Sequence, residues 1–511
     1  MRAARGEPVA SIGDPSKVPD PEQKDPRWLA RLAWAILVGT LLFQAYAYSF
    51  KLPLSLGPRV ILQPWLLRHG FVLYETAVDI HTPLMPLSIA ALSSVIPDGL
   101  RLAKLVLVAL LSLTALLTFV AAKRHAGSAG GVWAIFCFAV WSPTFEFGKL
   151  WYEAFLTPLY LLFFLAYTPS AARRTLKTYA LIGLLGGIAV LVKQHAAVVF
   201  LAFIAWHALT GRHLRRPRRA VLREVVVMGV ASAVPVLGFS VYQGLTAGTL
   251  NGFLYWAVGY ELSGDYVSLA AKGATLSQVW TLASCALFLP AVLISLWERR
   301  KAGDEKWLVL AWGLLLIGAS SVTAYPRFHF FHLQAVLSVL AVLSAIALAH
   351  LIHRRREGQS FTVAIPAAVS ILWVLTAGTA YHPVLEGDRP QKIAQYTDLV
   401  PVAEEIRQLV GPSDCVYIFP DDETLSNLYS IMGCPPPRFW VFHYQWFMVD
   451  RVKDRILSVL DAKPPAWVLY SPGRYDIQTS APEIVSYIQG HYREVAEIQS
   501  AEDPAVLMQR K

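Results

Sequence analysis

Acidic side chains are scarce among the apolar stretches of this chain, and those that border them are spaced so that they could do chemistry. In RHGFVLYETAVDIHTPLMP, residues 68–86, Glu75 and Asp79 stand four apart, with His81 and Pro83 following. On a helix the two carboxylates would share one face, where like charges repel unless one is protonated, paired or used. A carboxylate at the point where a loop returns to a membrane could serve as general base toward an acceptor hydroxyl. The plain alternative for both is an exposed loop acid. Asp79 and His81 are also metal-ligand types, but two ligands without a third define no site, so no cofactor is expected and divalent-metal dependence stays open.

Glu153 heads another apolar run, in FGKLWYEAFLTPLYLL. It is either an acid favoured by the helix dipole or a second wall carboxylate. Glu146 has a similar position, as a solvated loop acid or a substrate contact. Lys193 in LVKQHAA and Arg327 in AYPRFHFFH border apolar runs too. Both types snorkel at interfaces; both also grip anionic headgroups, Arg with a fork that matches phosphate oxygens and Lys as a point charge. His332, one turn past His329, reads as a packed side chain or a further phosphate contact. The aromatic run Trp440, Phe442, His443, Tyr444 and Trp446 reads as core.

The elements that must position these groups follow from composition. The chain has 511 residues, 55% hydrophobic and 16% charged, with repeated apolar runs near the roughly 20 residues that cross a bilayer. We expect an all-α polytopic membrane domain at 28–381 with about 11 spans, behind a polar, disordered cytoplasmic tail at 1–27. The spans are expected near 29–50, 99–121, 129–147, 153–169, 178–193, 195–210, 222–244, 276–297, 307–324, 329–351 and 361–381. The net charge of +10 resides in short loops between these runs, which marks topology and not nucleic-acid binding. With the amino terminus cytoplasmic, the basic clusters at 123–124, 173–177, 212–223, 299–301 and 354–356 all fall inside. The apolar run 83–96 is too short to span, and counting it as a span would reverse that agreement. Residues 51–98 therefore form one long outer loop, and the candidate site residues gather on the outer face.

From residue 382 the pattern changes. Helix-like PVAEEIRQLV alternates with strand-like CVYIF and AWVLY, which indicates a small extracytoplasmic α/β domain at 382–511. Cys415 and Cys434 lie there, where an outer compartment would allow a disulfide. The domain carries no glycine-rich phosphate loop and no metal-ligand spacing.

The joint order of four pieces resembles the GT-C class of integral-membrane glycosyltransferases, with protein O-mannosyltransferases, aminoarabinose transferases and lipopolysaccharide-core galacturonosyltransferases. They are Gly70 to Tyr74 followed by Asp79 to Leu84, then Glu153, then Leu191 to Gln194, and finally Arg327 to His332. The resemblance covers about residues 50–350. It implies a polyprenyl-phosphate-linked sugar donor, a lipid, glycan or protein acceptor, and inversion at the anomeric carbon. Carried over, Asp79 is the base or its partner, Glu153 the second carboxylate and Glu75 a third catalytic candidate. Lys193, Arg327 and His332 would hold the lipid phosphate, and Tyr74, His81 and Glu146 would contact substrate. One departure matters: members commonly carry an acid soon after the first span, whereas residues 51–73 contain none. A multi-span transporter and a non-catalytic envelope assembly protein are the competing readings; a transporter would place ionisable groups at mid-membrane in two matching halves.

Overall fold

The computed structural model describes residues 25–167, 175–260, 262–356, 379–385, 391–411, 414–499 and 504–511, with isolated positions between 369 and 375. The polar tail before residue 25 and most of the span expected at 361–381 lie outside the described residues.

Apolar runs in a membrane must satisfy their own backbone, so they become helices. In chain order these are α1 (Arg27–Tyr46), α2 (Leu62–Arg68), α3 (Leu84–Leu92), α4 (Gly99–Trp141), α5 (Tyr152–Ala166), α6 (Leu176–Val192), α7 (Ala196–His213) and α8 (Arg218–Tyr242). They continue as α9 (Leu250–Leu254), α10 (Gly264–Ala270), α11 (Leu276–Ala286), α12 (Leu289–Lys301), α13 (Trp307–Ser321) and α14 (Gln334–Arg356). Among the described residues, seven helical segments are long and apolar enough to cross a membrane, α11 and α12 counting together as one, and α5 and α6 are shorter apolar helices. The nine-residue α3 is too short to span, as its flanking prolines suggested.

The long α4 is two helices. Gly127 breaks it at φ 73°, ψ −177°, a conformation that glycine adopts without Cβ strain. Asp25 Oδ2 accepts the freed Ser128 N–H at 2.7 Å. A Cβ on Gly131 would lie 2.9 Å from Phe119, whereas twelve residues of straight helix span roughly 18 Å. The arms therefore fold back on each other, matching the two spans expected there. Gly183 and Gly187 let α6 and α8 touch backbone to backbone: a Cβ on Gly187 would sit 2.1 Å from the Ser232 carbonyl oxygen. This is the small-residue packing expected where lipid offers no hydrophobic drive.

Connections alternate in kind. Segments 51–98, 142–151, 193–195, 243–275 and 322–333 surround one cavity. The intervening turns carry the basic residues, and they meet elsewhere: Arg124 Nη1 donates to the Leu165 carbonyl at 2.9 Å, and His213 stacks edge-on to Trp307 at 5.6 Å.

The carboxyl-terminal segment forms a mixed sheet. Its strands, after β1 (Leu54–Ser55) and β2 (Ile393–Ala394), are β3 (Val416–Phe419), β4 (Trp467–Tyr470), β5 (Tyr492–Glu497) and β6 (Val506–Arg510). The order is β3-β4-β6-β5, with β3 parallel to β4 and the other pairs antiparallel. Every residue of β3 and β4 is buried, as continuous apolar strands under helices require. A Cys415–Cys434 disulfide ties β3 to the turn before Pro435.

This sheet does not stand apart from the membrane body. β1, in the long loop 51–98, pairs with β2, and Val78 N–H and Trp440 N–H bond to Trp440 and Thr76 carbonyls at 2.9 and 2.8 Å. Leu62, Leu66, Leu73 and Ile80 of the loop share one buried core with Ile406, Phe419 and Leu469.

Candidate active site

The long loop 51–98 brings its polar residues inward through a turn. Gly70, at φ 84°, ends α2 in the left-handed position that favours glycine. Val72 O then accepts Glu75, Thr76 and Ala77 N–H groups. The segment is thus a turn followed by extended chain, and the expected helical face shared by Glu75 and Asp79 does not form. Pairing with Trp440 overrides the local pattern.

Asp79 is 2% exposed, and both its oxygens are engaged. Oδ1 accepts His81 N–H at 3.1 Å and His81 Nδ1 at 2.9 Å; Oδ2 accepts the Tyr152 hydroxyl at 2.9 Å; Arg59 Nε reaches them at 3.3 and 3.2 Å. Burial pushes this carboxyl up, but Arg59 and His81 outweigh it and hold it well below the usual carboxylate range. Burial pushes the His81 imidazole down to about 4 despite Asp79. The ring is therefore neutral at pH 7, with Nδ1–H on Asp79. It stacks on Tyr152 at 4.3 Å.

A second buried cluster lies alongside. Glu153, in the first turn of α5, accepts Lys193 Nζ at 2.7 Å and His332 Nδ1 at 2.6 Å, both on Oε1. Its Oε2 has no partner among the described residues. Thr82 Oγ1 donates to the Val190 carbonyl at 2.7 Å, and Gln194 Nε2 to the Ile80 carbonyl at 2.8 Å, so the two clusters are stitched together.

Between the clusters and the sheet lies a cavity of about 160 Å³. Its walls carry four cations: Arg59, Lys149, Lys193 and Arg327. Arg59 and Lys193 are paired as described. Lys149 and Arg327 have no ion-pair or hydrogen-bond partner among the described residues; Lys149 Nζ lies 4.0 Å from the Phe331 ring centre and the Arg327 guanidinium 5.2 Å from that of Trp446. Glu423 is the acid on the wall, and it comes from the loop after β3. His81, His195, His329 and His332 complete the polar lining. Among the described residues, no group of three or more His, Cys, Asp or Glu is placed to hold a metal ion.

The structure thus gathers Asp79, His81, Glu153, Lys193, Arg327 and His332 around one cavity. It separates the other three expected residues. Tyr74 is buried, with its hydroxyl donating to the His81 carbonyl at 2.8 Å. Tyr74 and Glu75 line a different pocket with Arg451 and Arg455. Glu146 lines a third, beside Tyr48 and Pro143. The sequence reading missed Arg59, Lys149 and Glu423. A signal for Glu423 was present: ligand groups in α/β sheets cluster beyond the carboxyl ends of parallel strands, and FPDDE directly follows the strand VYIF. The aromatic run is divided: Trp440, Phe442 and His443 are buried, whereas Tyr444 and Trp446 line the cavity.

No family model and no curated protein sequence matches the chain. Solved structures do. ArnT from Cupriavidus metallidurans bound to undecaprenyl phosphate superposes with a TM-score of 0.56 at 13% identity, covering 94% of this chain and 97% of that one. Its apo form gives 0.59 at 12% identity, with 94% and 98% covered. The Archaeoglobus fulgidus oligosaccharyltransferase tethered to an acceptor peptide gives 0.52 at 12%, with 94% and 74% covered. The chain has the GT-C fold. In this GT-C frame the cavity is bounded below by the helix ends and above by the carboxyl edge of β3 and β4, which delivers Glu423 and the Tyr444–Trp446 segment.

Proposed function

We propose that the chain is an integral-membrane glycosyltransferase that moves a sugar, with inversion, from a polyprenyl-phosphate donor to a lipid, glycan or protein acceptor on the outer membrane face. The observation that carries this is the pair Lys149 and Arg327, two cations without a direct ion-pair contact among the described residues, facing a cavity whose wall carries Glu423 and lies alongside the buried Asp79 and Glu153 clusters. Cations so placed suit a phosphate that gains charge as the sugar–oxygen bond breaks. The likeness to a transferase crystallised with undecaprenyl phosphate supports the donor class. In this reading Asp79 and Glu153 act as partners that hold Arg59, His81, Lys193 and His332 in register.

The remaining topology belongs to the same proposal: about eleven spans in a plasma or inner membrane, amino terminus cytoplasmic, sheet outside. The alternation of basic and cavity connections supports it, as does a disulfide in the sheet, which suits an oxidising compartment.

The test is the full chain in lipid nanodiscs with undecaprenyl-phosphate-linked sugars and an envelope lipid extract as acceptor, following release of undecaprenyl phosphate and labelled product. Passage of intact donor across a vesicle without cleavage would instead identify a transporter.

A further inference from the structure

We propose that Glu423, supplied by the carboxyl-terminal sheet, is the base that takes the proton from a hydroxyl-bearing acceptor. This rests on the transferase reading above. Three carboxylates lie near the cavity, and two are committed. Asp79 has both oxygens saturated by Arg59, His81 and Tyr152, and it does not line the cavity. Glu153 is buried behind Lys193 and His332 and does not line it either. Glu423 does: its side chain is 25% exposed, and its one ion-pair contact among the described residues is Arg59 Nη1 at a long 3.4 Å.

The placement also couples the base to the donor. Burial pushes the Glu423 carboxyl up, but Lys149, Arg59, Arg327 and His329 together draw it below its ordinary value. An anionic phosphate seated on Lys149 and Arg327 cancels part of that positive field, so Glu423 gains basicity when donor is bound. The acceptor oxygen then attacks the anomeric carbon, the bond from that carbon to the phosphate oxygen breaks with its electron pair leaving on the phosphate, and the hydroxyl proton passes to Glu423. Of the imidazoles on the wall, His81 is the competing proton acceptor the experiment addresses, beside His195, His329 and His332. Its ring is already bonded through Nδ1 to Asp79, and its low proton affinity disfavours it.

The experiment compares full-chain Glu423→Gln, Glu423→Asp and His81→Asn in nanodiscs, using undecaprenyl-phosphate-linked sugars and envelope lipid extract, together with undecaprenyl phosphate binding. Glu423→Gln should lower kcat about 100-fold or more, the scale of general-base loss, while undecaprenyl phosphate binds at least as tightly as to wild type, because the coupling between carboxylate and phosphate is reciprocal. It should also lose the acid limb of the pH profile, while Glu423→Asp recovers part of the rate. In wild type, the acid limb of kcat should lie at higher pH than that of kcat/KM for donor. An active wild type with a Glu423→Gln variant that keeps kcat and the acid limb overturns this assignment and leaves the transferase reading standing, as does an acid limb lost only in His81→Asn. A wild type that transfers no sugar from any of these donors overturns both.

Discussion

Lys193 Nζ lies 2.7 Å from Glu153 Oε1, with both side chains at most 4% exposed. Removing one partner of such a pair leaves a buried charge without compensation, at a cost of about 3–5 kcal/mol. Glu153→Gln should therefore lower the unfolding temperature markedly and reduce sugar transfer. The double variant Glu153→Gln/Lys193→Met should recover most of the stability and none of the activity. Thermal unfolding in detergent and the transfer assay separate the two effects; a double variant as unstable as the single one would refute the pairing argument.

Asp79 makes acid stability a reporter of the outer loop. Its carboxyl is held below its unfolded value of about 3.9. Between those two values the unfolded chain binds more protons, so stability rises with pH there. The contribution is complete above the unfolded value and drains away as pH falls through the depressed one. Asp79→Asn should flatten the loss of stability below pH ~4 while lowering stability at pH 7, where Arg59 keeps Glu423 as its one ion-pair partner among the described residues. Unfolding midpoints measured from pH 7 downward test this.

Lys149 and Arg327 should carry donor affinity. Hydrogen bonds to charged groups contribute about 1.5–3 kcal/mol, so Lys149→Ala and Arg327→Ala should each weaken undecaprenyl phosphate binding by about 10- to 100-fold. Trp446→Ala, which removes the ring under Arg327, should have a smaller effect of about three- to fivefold, in line with a cation–π contact. Titration of each variant with the lipid decides the order.

Gly187→Leu should prevent proper assembly of the helices, because even a Cβ would lie 2.1 Å from the Ser232 carbonyl oxygen. Gly229→Leu, on the facing helix but with open space around it, should be tolerated. Recovery of monodisperse protein after extraction is the measurement.

Much of the scaffold could be read from residue order. Apolar runs dictate helices because lipid leaves the backbone no other partner, and the alternation of basic turns anticipated which connections surround the cavity. The same logic located Asp79, His81, Glu153, Lys193, Arg327 and His332. It failed where tertiary pairing outranks local pattern. Glu75 was assigned to the face of Asp79 on a helical assumption, yet Ala77 pairs with Trp440, more than 360 residues along the chain. Arg59 carries no signal in the sequence, because its partners Asp79 and Glu423 come around it only in the fold. Glu423 belongs to no phosphate loop and no metal-ligand spacing; its one signal was positional, FPDDE directly after the strand VYIF, and it reaches the site through the way β3 is aimed.

The pairing of Leu54–Ser55 with Ile393–Ala394 has a consequence for biogenesis. By the time ribosomes reach residue 393, α1 through α14 are already made, yet the first outer loop still lacks the strand and the apolar core that fix it. Competence is therefore the last property the nascent chain acquires, and a product truncated within the sheet would be inserted but inert. A cell gains a safeguard from this order: a cavity walled by both the loop and the segments around the sheet is not assembled until the sheet itself has been delivered.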